Sequence, residues 1–398
     1  MANAPRRAKL LDVAAAAGVS KALASRALGG YSDVAPATRE RILAVARRLG
    51  YRASARGRAL AAGKDALPRA AVVALGIEAP RLAADLYLGQ VLSGIVASPA
   101  AEQLDVHVTA IRAQERWTAG GQEASAAKAE ALARLVAEDR ADGIILLTYQ
   151  PLAPEDIAPL EDARVPVVLV NRHLGMRPVH AVTVDYARAM AHAVTYLTNL
   201  GHRRLALLLP RRDTTVVRDR AHGWRRARRR LGIDPQAGAI VWYADADPEA
   251  ERNAVRRLLD QGLPQSGERP TALACYSDLT ARVALAEAAA RGMQVPQQLS
   301  VLGCVETLAP HLLPPLSGYG PPPSEIGAAA AAHLVAVLNG EEPTPRRVIL
   351  PSPFTDRGSC ATPSAPAGPT AARAAATPPR LSAGWSGAAS PGRAPGRR

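Results

Sequence analysis

Aromatic residues are scarce, 4% of the chain with a single phenylalanine. Alanine and arginine dominate instead, a balance that GC-rich coding explains as readily as function does. Cysteine is nearly missing. Cys275, Cys304 and Cys360 are odd in number, far apart and without a CxxC pair. That excludes a disulfide framework and a cysteine zinc site, and it fits a reducing compartment. No apolar run reaches the roughly 18 residues that a spanning helix needs, so no membrane partner is expected. There is no Walker loop, HExxH or GxSxG, and no GxGxxG at a strand-to-helix turn. The 8 histidines show no ligand spacing. No catalytic residue, metal or cofactor is therefore expected, and an enzyme is the least supported class.

The charge that is present is unevenly placed. A chain of 398 residues exceeds one domain of ~150, so two or three are expected. The formal charge is +14. Residues 1–64 hold 13 Lys/Arg against 3 Asp/Glu, residues 65–360 hold 31 against 32, and residues 361–398 hold 5 arginines and no acid. A basic head on a neutral body points to a polyanion partner for the head. Arg6, Arg7 and Lys9 ahead of the run from Leu10 to Ala17 imitate a secretion signal. Asp12 interrupts that run and no clear cleavage site follows, so a cytoplasmic, nucleoid-associated protein is expected.

The first 64 residues read as short helices. Leu10, Val13, Ala14 and Ala17 recur at helical spacing, and Gly18 ends that helix through the left-handed conformation. Ser20 caps the next helix, which runs to about Leu28 before Gly29-Gly30. Pro36 suits the first turn of a third, with Ile42, Val45 and Leu49 as its stripe. A short Ala/Arg-rich segment covers Ser54 to Ala62. From Ala71 short apolar runs alternate with helical patterns. The strand-like runs are 71–77, 104–111, 143–148, 166–170, 204–209, 239–243, 271–276, 299–303 and 347–350. Helical stretches include 123–138, 186–200, 218–231, 249–261 and 279–291. Such alternation implies parallel sheets with helices on both faces, and nine strands suit two sheets better than one. The expected fold class is α/β, with an all-α helix-turn-helix head and a body of parallel doubly wound sheets. The Ala/Pro/Arg-rich tail is too poor in apolar surface to offset its ordering entropy and is read as disordered.

The segment from Leu11 to Leu28 places two short helices around a glycine turn, with small alanines at 14, 17, 24 and 27 for close packing. Ala24 and Leu28 are expected to face inward. Lys21, Ala22, Ser25 and Arg26 share the outer face. The run Asp12-Val13-Ala14…Ala17-Gly18-Val19-Ser20…Ser25-Arg26 resembles the DNA-binding head of the lac repressor family. So do Thr38-Arg39-Glu40-Arg41-Ile42…Leu49-Gly50-Tyr51-Arg52 and the hinge-like Arg58-Ala59-Leu60-Ala61-Ala62-Gly63-Lys64. The resemblance implies that Lys21, Ala22 and Arg26 read bases in the major groove, with Arg26 suited to guanine O6 and N7. It implies that Ser20, Ser25 and Tyr51 hold phosphates, and that Leu60 wedges into the minor groove. Alternatively, Leu60 packs its own helix and the basic face is merely solvated. The family's usual Thr-Val is Leu23-Ala24 here, its usual Asn is Gly29, its hinge Pro-Asn is Ala53-Ser54, and Arg56-Gly57 replaces small residues. Gly57 costs roughly 1 kcal/mol of helix propensity against Ala.

The body resembles the same family more thinly. Leu86-Tyr87 with Gly94-Ile95, the run from Asp142 to Leu147, the run from Val165 to Val170, Leu200-Gly201-His202, Arg218-Asp219-Arg220…Gly223-Trp224, Ser277-Asp278 and Ser300-Val301-Leu302-Gly303 follow in family order. The resemblance implies a periplasmic-binding-protein-like body of two lobes linked by three crossovers. The effector is expected near the carboxyl ends of the strands. The implied division is a head at 1–52 and a hinge and linker at 53–70. An N-lobe at 71–172 plus 306–321 and a C-lobe at 173–305 plus 322–358 follow, with a tail at 359–398. Family effector positions fall on Leu86, Tyr87, Thr148, Asn171, Arg220, Ser277, Asp278 and Val305. Arg220 suits a carboxylate, phosphate or hydroxyl pair, although it is also one arginine of a basic helix. The family's usual Asp at 305 is Val305, which leaves open a more apolar or anionic effector, or a lost response.

Taken together, the expected function is that of a homodimeric, sequence-specific transcription regulator, a repressor by family habit. It binds a palindromic operator in double-stranded DNA and responds to a small effector, a sugar or sugar derivative by resemblance. An architectural protein that coats DNA without sequence preference is the alternative. An exported solute-binding protein is disfavoured by the basic head.

Overall fold

A computed structural model describes residues 10–29, 31, 33–49, 51, 67–77, 85–112, 121–138, 140–175, 177–245, 247–304 and 307–364. The hinge segment with Leu60, residue Val305 and the tail beyond Ser364 lie outside the described residues. The head is three helices, α1 (Leu10–Ala16), α2 (Lys21–Leu28) and α3 (Pro36–Arg48). Gly18 takes φ +63 between the first two, a conformation that suits glycine because a Cβ would clash with its own backbone. Ser20 Oγ then accepts the Leu23 amide at 3.1 Å and caps α2. Val13, Ala14, Ala17, Ala24, Ala27, Ile42, Val45 and Ala46 form the head's own core. The small alanines allow α1 and α2 to approach closely, and Leu28 packs against the edge of this core.

The body contains two six-stranded sheets. The first runs β11 (Arg347–Leu350), β5 (His180–Val184), β4 (Val167–Val170), β3 (Gly143–Thr148), β1 (Arg69–Leu75) and β2 (Asp105–Ile111). All of its pairings are parallel. The second runs β12 (Phe354–Thr355), β10 (Ser317–Tyr319), β9 (Ser300–Gly303), β8 (Ala272–Cys275), β6 (Leu205–Pro210) and β7 (Gly238–Tyr243). Only its β10–β12 pair is antiparallel. The central strands are apolar along their whole length because helices cover both faces. Among those helices are α4 (Leu86–Ala97), α5 (Gly121–Ala137), α6 (Tyr186–Asn199), α7 (Thr215–Arg230), α8 (Pro248–Gln261), α9 (Asp278–Ala289) and α10 (Pro323–Leu338). On the first sheet α4 and α10 cross so tightly that a Cβ on Gly94 would sit 1.9 Å from the Ser324 carbonyl oxygen, and one on Gly327 2.0 Å from that of Val91.

All nine expected strand runs are strands. Three short ones, β5, β10 and β12, were not foreseen, and they move the boundaries between the lobes. The chain leaves the first sheet only after β5, past Val184, and not at residue 172. Residues 306–321, expected in the N-lobe, include β10 of the second sheet. Residues 322–350, expected in the C-lobe, return to the first sheet as α10 and β11. The cause is the register of the last long strand. Arg347 pairs with Ala181 and Leu350 with Val184, so the helix leading into β11 must pack on the first sheet. The hinge and linker expected at 53–70 ends early, because Arg69 already belongs to β1. The tail expected to begin at 359 begins later. Ser359 and Cys360 are buried, and Ser359 Oγ donates to the Val301 carbonyl at 2.6 Å.

Candidate functional site

On the head, α2 divides into two faces. Ala24 and Ala27 are buried, and Leu23 is drawn against the core. Lys21, Ala22 and Arg26 are exposed and Ser25 is half-buried on the opposite side. The departures Leu23 and Ala24 thus fall on the packing face and leave the outward set unchanged. Arg26 forms an ion pair with Asp33, both groups being half-exposed. Ser20 is exposed but already serves as the cap of α2. Tyr51 lies half-buried beside the core, and its amide donates to the Ala46 carbonyl at 2.8 Å.

In the body, a cavity of about 190 Å³ is lined from both sheets. It lies at the carboxyl ends of parallel strands, where successive βα turns leave a crevice. Tyr87, Thr148, Asn171, Arg220, Ser277 and Asp278 all line it. Leu86 does not. It is 48% exposed, because α4 turns successive side chains by about 100° and brings Tyr87 and Leu88, not Leu86, to the cavity.

Four helices bring their first turns or the adjoining turn to the cavity. They contribute the cap Asp85 and Tyr87 of α4, Tyr186 of α6, Val216 and Arg220 of α7, and the cap Ser277 and Asp278 of α9. The two acids at these helix ends are already hydrogen-bonded. Asp85 accepts the Leu88 amide at 3.1 Å and the Tyr149 hydroxyl at 3.0 Å. Asp278 Oδ2 accepts the Thr307 amide at 2.8 Å, the Thr307 hydroxyl at 2.6 Å and the Leu308 amide. Ser277 Oγ caps α9 through the Thr280 amide at 3.2 Å.

Arg220 is the centre of the arrangement. Its guanidinium lies between the rings of Tyr186 and Tyr276, at 4.4 and 4.5 Å from their centroids. It donates to the carbonyls of Tyr276 at 2.8 Å and Cys304 at 3.0 Å. Stacking and main-chain acceptors together fix the plane of its fork. Arg172, not foreseen from sequence, is equally enclosed and donates to the carbonyls of Asn171 at 2.7 Å and Thr148 at 2.6 Å. Burial pulls its guanidinium below the ordinary arginine range. Asn171 has φ 52, which an asparagine tolerates better than most residues. Its amide donates to the Tyr87 hydroxyl, and its Oδ1 is buried without a partner. Burial raises the Tyr87 and Tyr149 hydroxyls well above their ordinary value and pushes Tyr186 up to about 12.

Tyr149, Arg212 and Tyr276 were also missed. The sequence did carry a signal for them. Thr148-Tyr149, Asn171-Arg172, Arg212 and Tyr276-Ser277 each stand at or just beyond the carboxyl end of a strand, where a crevice ligand is met. Among the described residues no group of three or more His, Cys, Asp or Glu could hold a metal ion, and no helix is long and apolar enough to cross a membrane.

A helix-turn-helix head on a body with a polar cleft between two parallel sheets defines the class of ligand-sensing DNA-binding regulators. Comparison with known proteins fixes the family. Residues 9–54 match the model of bacterial regulatory proteins of the lacI family, and residues 194–360 match that of a periplasmic binding protein-like domain. The HTH-type transcriptional regulator CelR of Thermobifida fusca is 30% identical over 351 residues, 87% of this chain and 96% of the relative. The HTH-type transcriptional repressor CytR of Escherichia coli K12 is 30% identical over 339 residues, 84% of this chain and 91% of the relative. Among solved structures, a CelR–cellobiose complex matches with a TM-score of 0.59 at 26% identity, covering 89% of this chain and 100% of the other. A lac repressor dimer bound to operator and an anti-inducer shares the fold with a TM-score of 0.61 at 24% identity, over 89% and 100% of the two chains. The chain belongs to the lacI family of bacterial regulatory proteins, and its relatives are transcriptional regulators, not enzymes.

Proposed function

We propose that the protein acts as a homodimer on an approximately palindromic operator. Lys21, Ala22 and Arg26 read bases, Ser20, Ser25 and Tyr51 hold phosphates, and Leu60 enters the minor groove at the centre. A small effector in the cleft sets operator affinity by changing how the two sheets close on it. That is a coupling between two sites, so operator binding must change effector affinity by the same factor. Repression is the expected outcome, as in the relative named a repressor. The observation that carries this reading is the division of α2, with Ala24 and Ala27 holding the head while Lys21, Ala22 and Arg26 remain outside the packing. The relative solved with cellobiose and the dimer solved on operator support an effector and a two-fold site.

Selection of bound sites from random duplex DNA, with full-length protein at fixed physiological salt, tests the reading. A two-fold consensus with a flexible central step is expected. Binding without consensus that collapses steeply as salt rises would mean phosphate-dominated attachment, and the architectural role would replace it.

A further inference from the structure

The cleft contains two guanidinium groups, Arg172 and Arg220, that form no ion pair among the described residues. Arg172 and Arg220 are 5% and 1% exposed. Their terminal nitrogens donate to four main-chain oxygens, and the Nε of each is buried without an acceptor. Ion pairs form nearby among the described residues, Arg212 with Asp245 and His173 with Asp219, but none reaches Arg172 or Arg220. The two acids that line the cavity, Asp85 and Asp278, are held by other donors, Asp85 by Leu88 and Tyr149 and Asp278 by Thr307 and Leu308, and neither is in contact with these guanidinium groups. The tyrosines stay neutral, since burial holds the Tyr87, Tyr149 and Tyr186 hydroxyls protonated. At position 305, where the family resemblance implies an acid, the chain has valine.

A buried guanidinium with no carboxylate in contact is costly, and a native site that keeps two of them has a use for their donors. The converging helix ends add potential of the same sign. We propose that the cleft is built for an anionic effector, a carboxylate or phosphate carried on a single-ring body, and not for a neutral sugar. The proposal rests on the reading of this cleft as the effector site. Arg172 and Arg220 are the groups that hold the anion, since each terminal nitrogen has a second N–H beyond the one given to the main chain. The 190 Å³ of the cavity limits the body, because a cavity of ~150 Å³ accepts one six-membered apolar ring. Tyr186 and Tyr276 flank the place where that ring meets the charge.

The test uses full-length protein at constant ionic strength. The probes are D-glucose, D-glucuronate, D-glucose 6-phosphate and inorganic phosphate, read by thermal stabilisation and by operator affinity. At least one anionic probe is expected to stabilise the protein saturably where D-glucose does not. Glucuronate against glucose 6-phosphate separates a carboxylate from a phosphate site. Arg172→Gln should weaken the responding anion by about tenfold or more, the scale of one charge-assisted hydrogen bond, and Arg172→Lys should recover part of that loss. Leu279 is 47% exposed at the cavity wall, so Leu279→Glu adds a repelling charge without disturbing the buried contacts. It should weaken the same anion several-fold if Arg172→Gln does not fold. Three results would overturn the proposal: no stabilisation by any anion, equal stabilisation by D-glucose, or anion effects unchanged in the variants, which would place the anion on the DNA-binding head. Variant-sensitive anion binding with no change in operator affinity would leave the anion site standing and refute the effector reading. A neutral sugar that shifts operator affinity would do the reverse.

Discussion

Replacing Arg26 separates base reading from phosphate attachment. In the free head its guanidinium pairs with Asp33 at the surface, with side chains 54% and 43% exposed. An ion pair this exposed contributes about 0–1 kcal/mol to stability. A bidentate guanine contact contributes about 1–3 kcal/mol of discrimination, a factor of roughly 5 to 150. Arg26→Ala should therefore leave the thermal midpoint within about 2–4 °C of the parent. It should weaken binding to the selected operator by that factor and binding to random duplex much less. Asp33→Ala removes the competitor for the same guanidinium and a repelling charge from the DNA side. It should tighten both complexes by a few-fold, at most the strength of the exposed pair. Fluorescence anisotropy with operator and scrambled duplexes, at two salt concentrations, measures all of this. Equal losses on both duplexes for Arg26→Ala, with a reduced salt slope, would make Arg26 a phosphate contact and remove it from the reading set.

Other consequences follow from the body. Gly94→Ala drives a Cβ to 1.9 Å from the Ser324 carbonyl and should lower stability by about 1–3 kcal/mol through overpacking, seen as a lower denaturation midpoint with the head's DNA contacts intact. His180 Nδ1 and His333 Nε2 lie 3.0 Å apart, between β5 and α10. Burial lowers both, and the His333 and Arg346 charges help bring His180 to about 4. Below about pH 6.5 the unfolded chain binds protons that the folded chain refuses, so stability should fall as pH drops from there toward 4. His202, lowered mainly by burial, acts in the same direction. Thermal denaturation across that range should show a shallower fall in His180→Asn, and an unchanged profile would count against the pair. Leu86→Ser should leave effector affinity unchanged because the side chain points away from the cleft. Tyr87→Phe should change it, because the hydroxyl is the partner of Asn171; titration calorimetry with whichever probe binds distinguishes them.

The head was legible almost residue by residue because its signals are local. A cap, a glycine with positive φ and small apolar residues at helical spacing act over a few positions, and Ser20, Gly18 and Ala24 have the expected roles. The sheets were legible as types because fully buried parallel strands read as continuous apolar runs. Their final assignment to lobes was not. It depends on β10 and β12, three and two residues long, and on the pairing of β11 with a strand 166 residues earlier. No window of sequence contains that pairing.

The cleft shows the same limit in chemical form. Family positions found Tyr87, Asn171 and Arg220, but the donors and acceptors left for a ligand depend on Arg172 and on which acids are already engaged. Asp278 looks like an effector acceptor in sequence. In the fold its Oδ2 receives three donors from Thr307 and Leu308, so the chain around 307 uses that oxygen before a ligand can. A residue's type gives its capacity for hydrogen bonds, and only the packing around it gives the part left over. On the proposed anionic reading, the specificity of this cleft rests on the unspent donors of Arg172 and Arg220 more than on the number of polar residues around it.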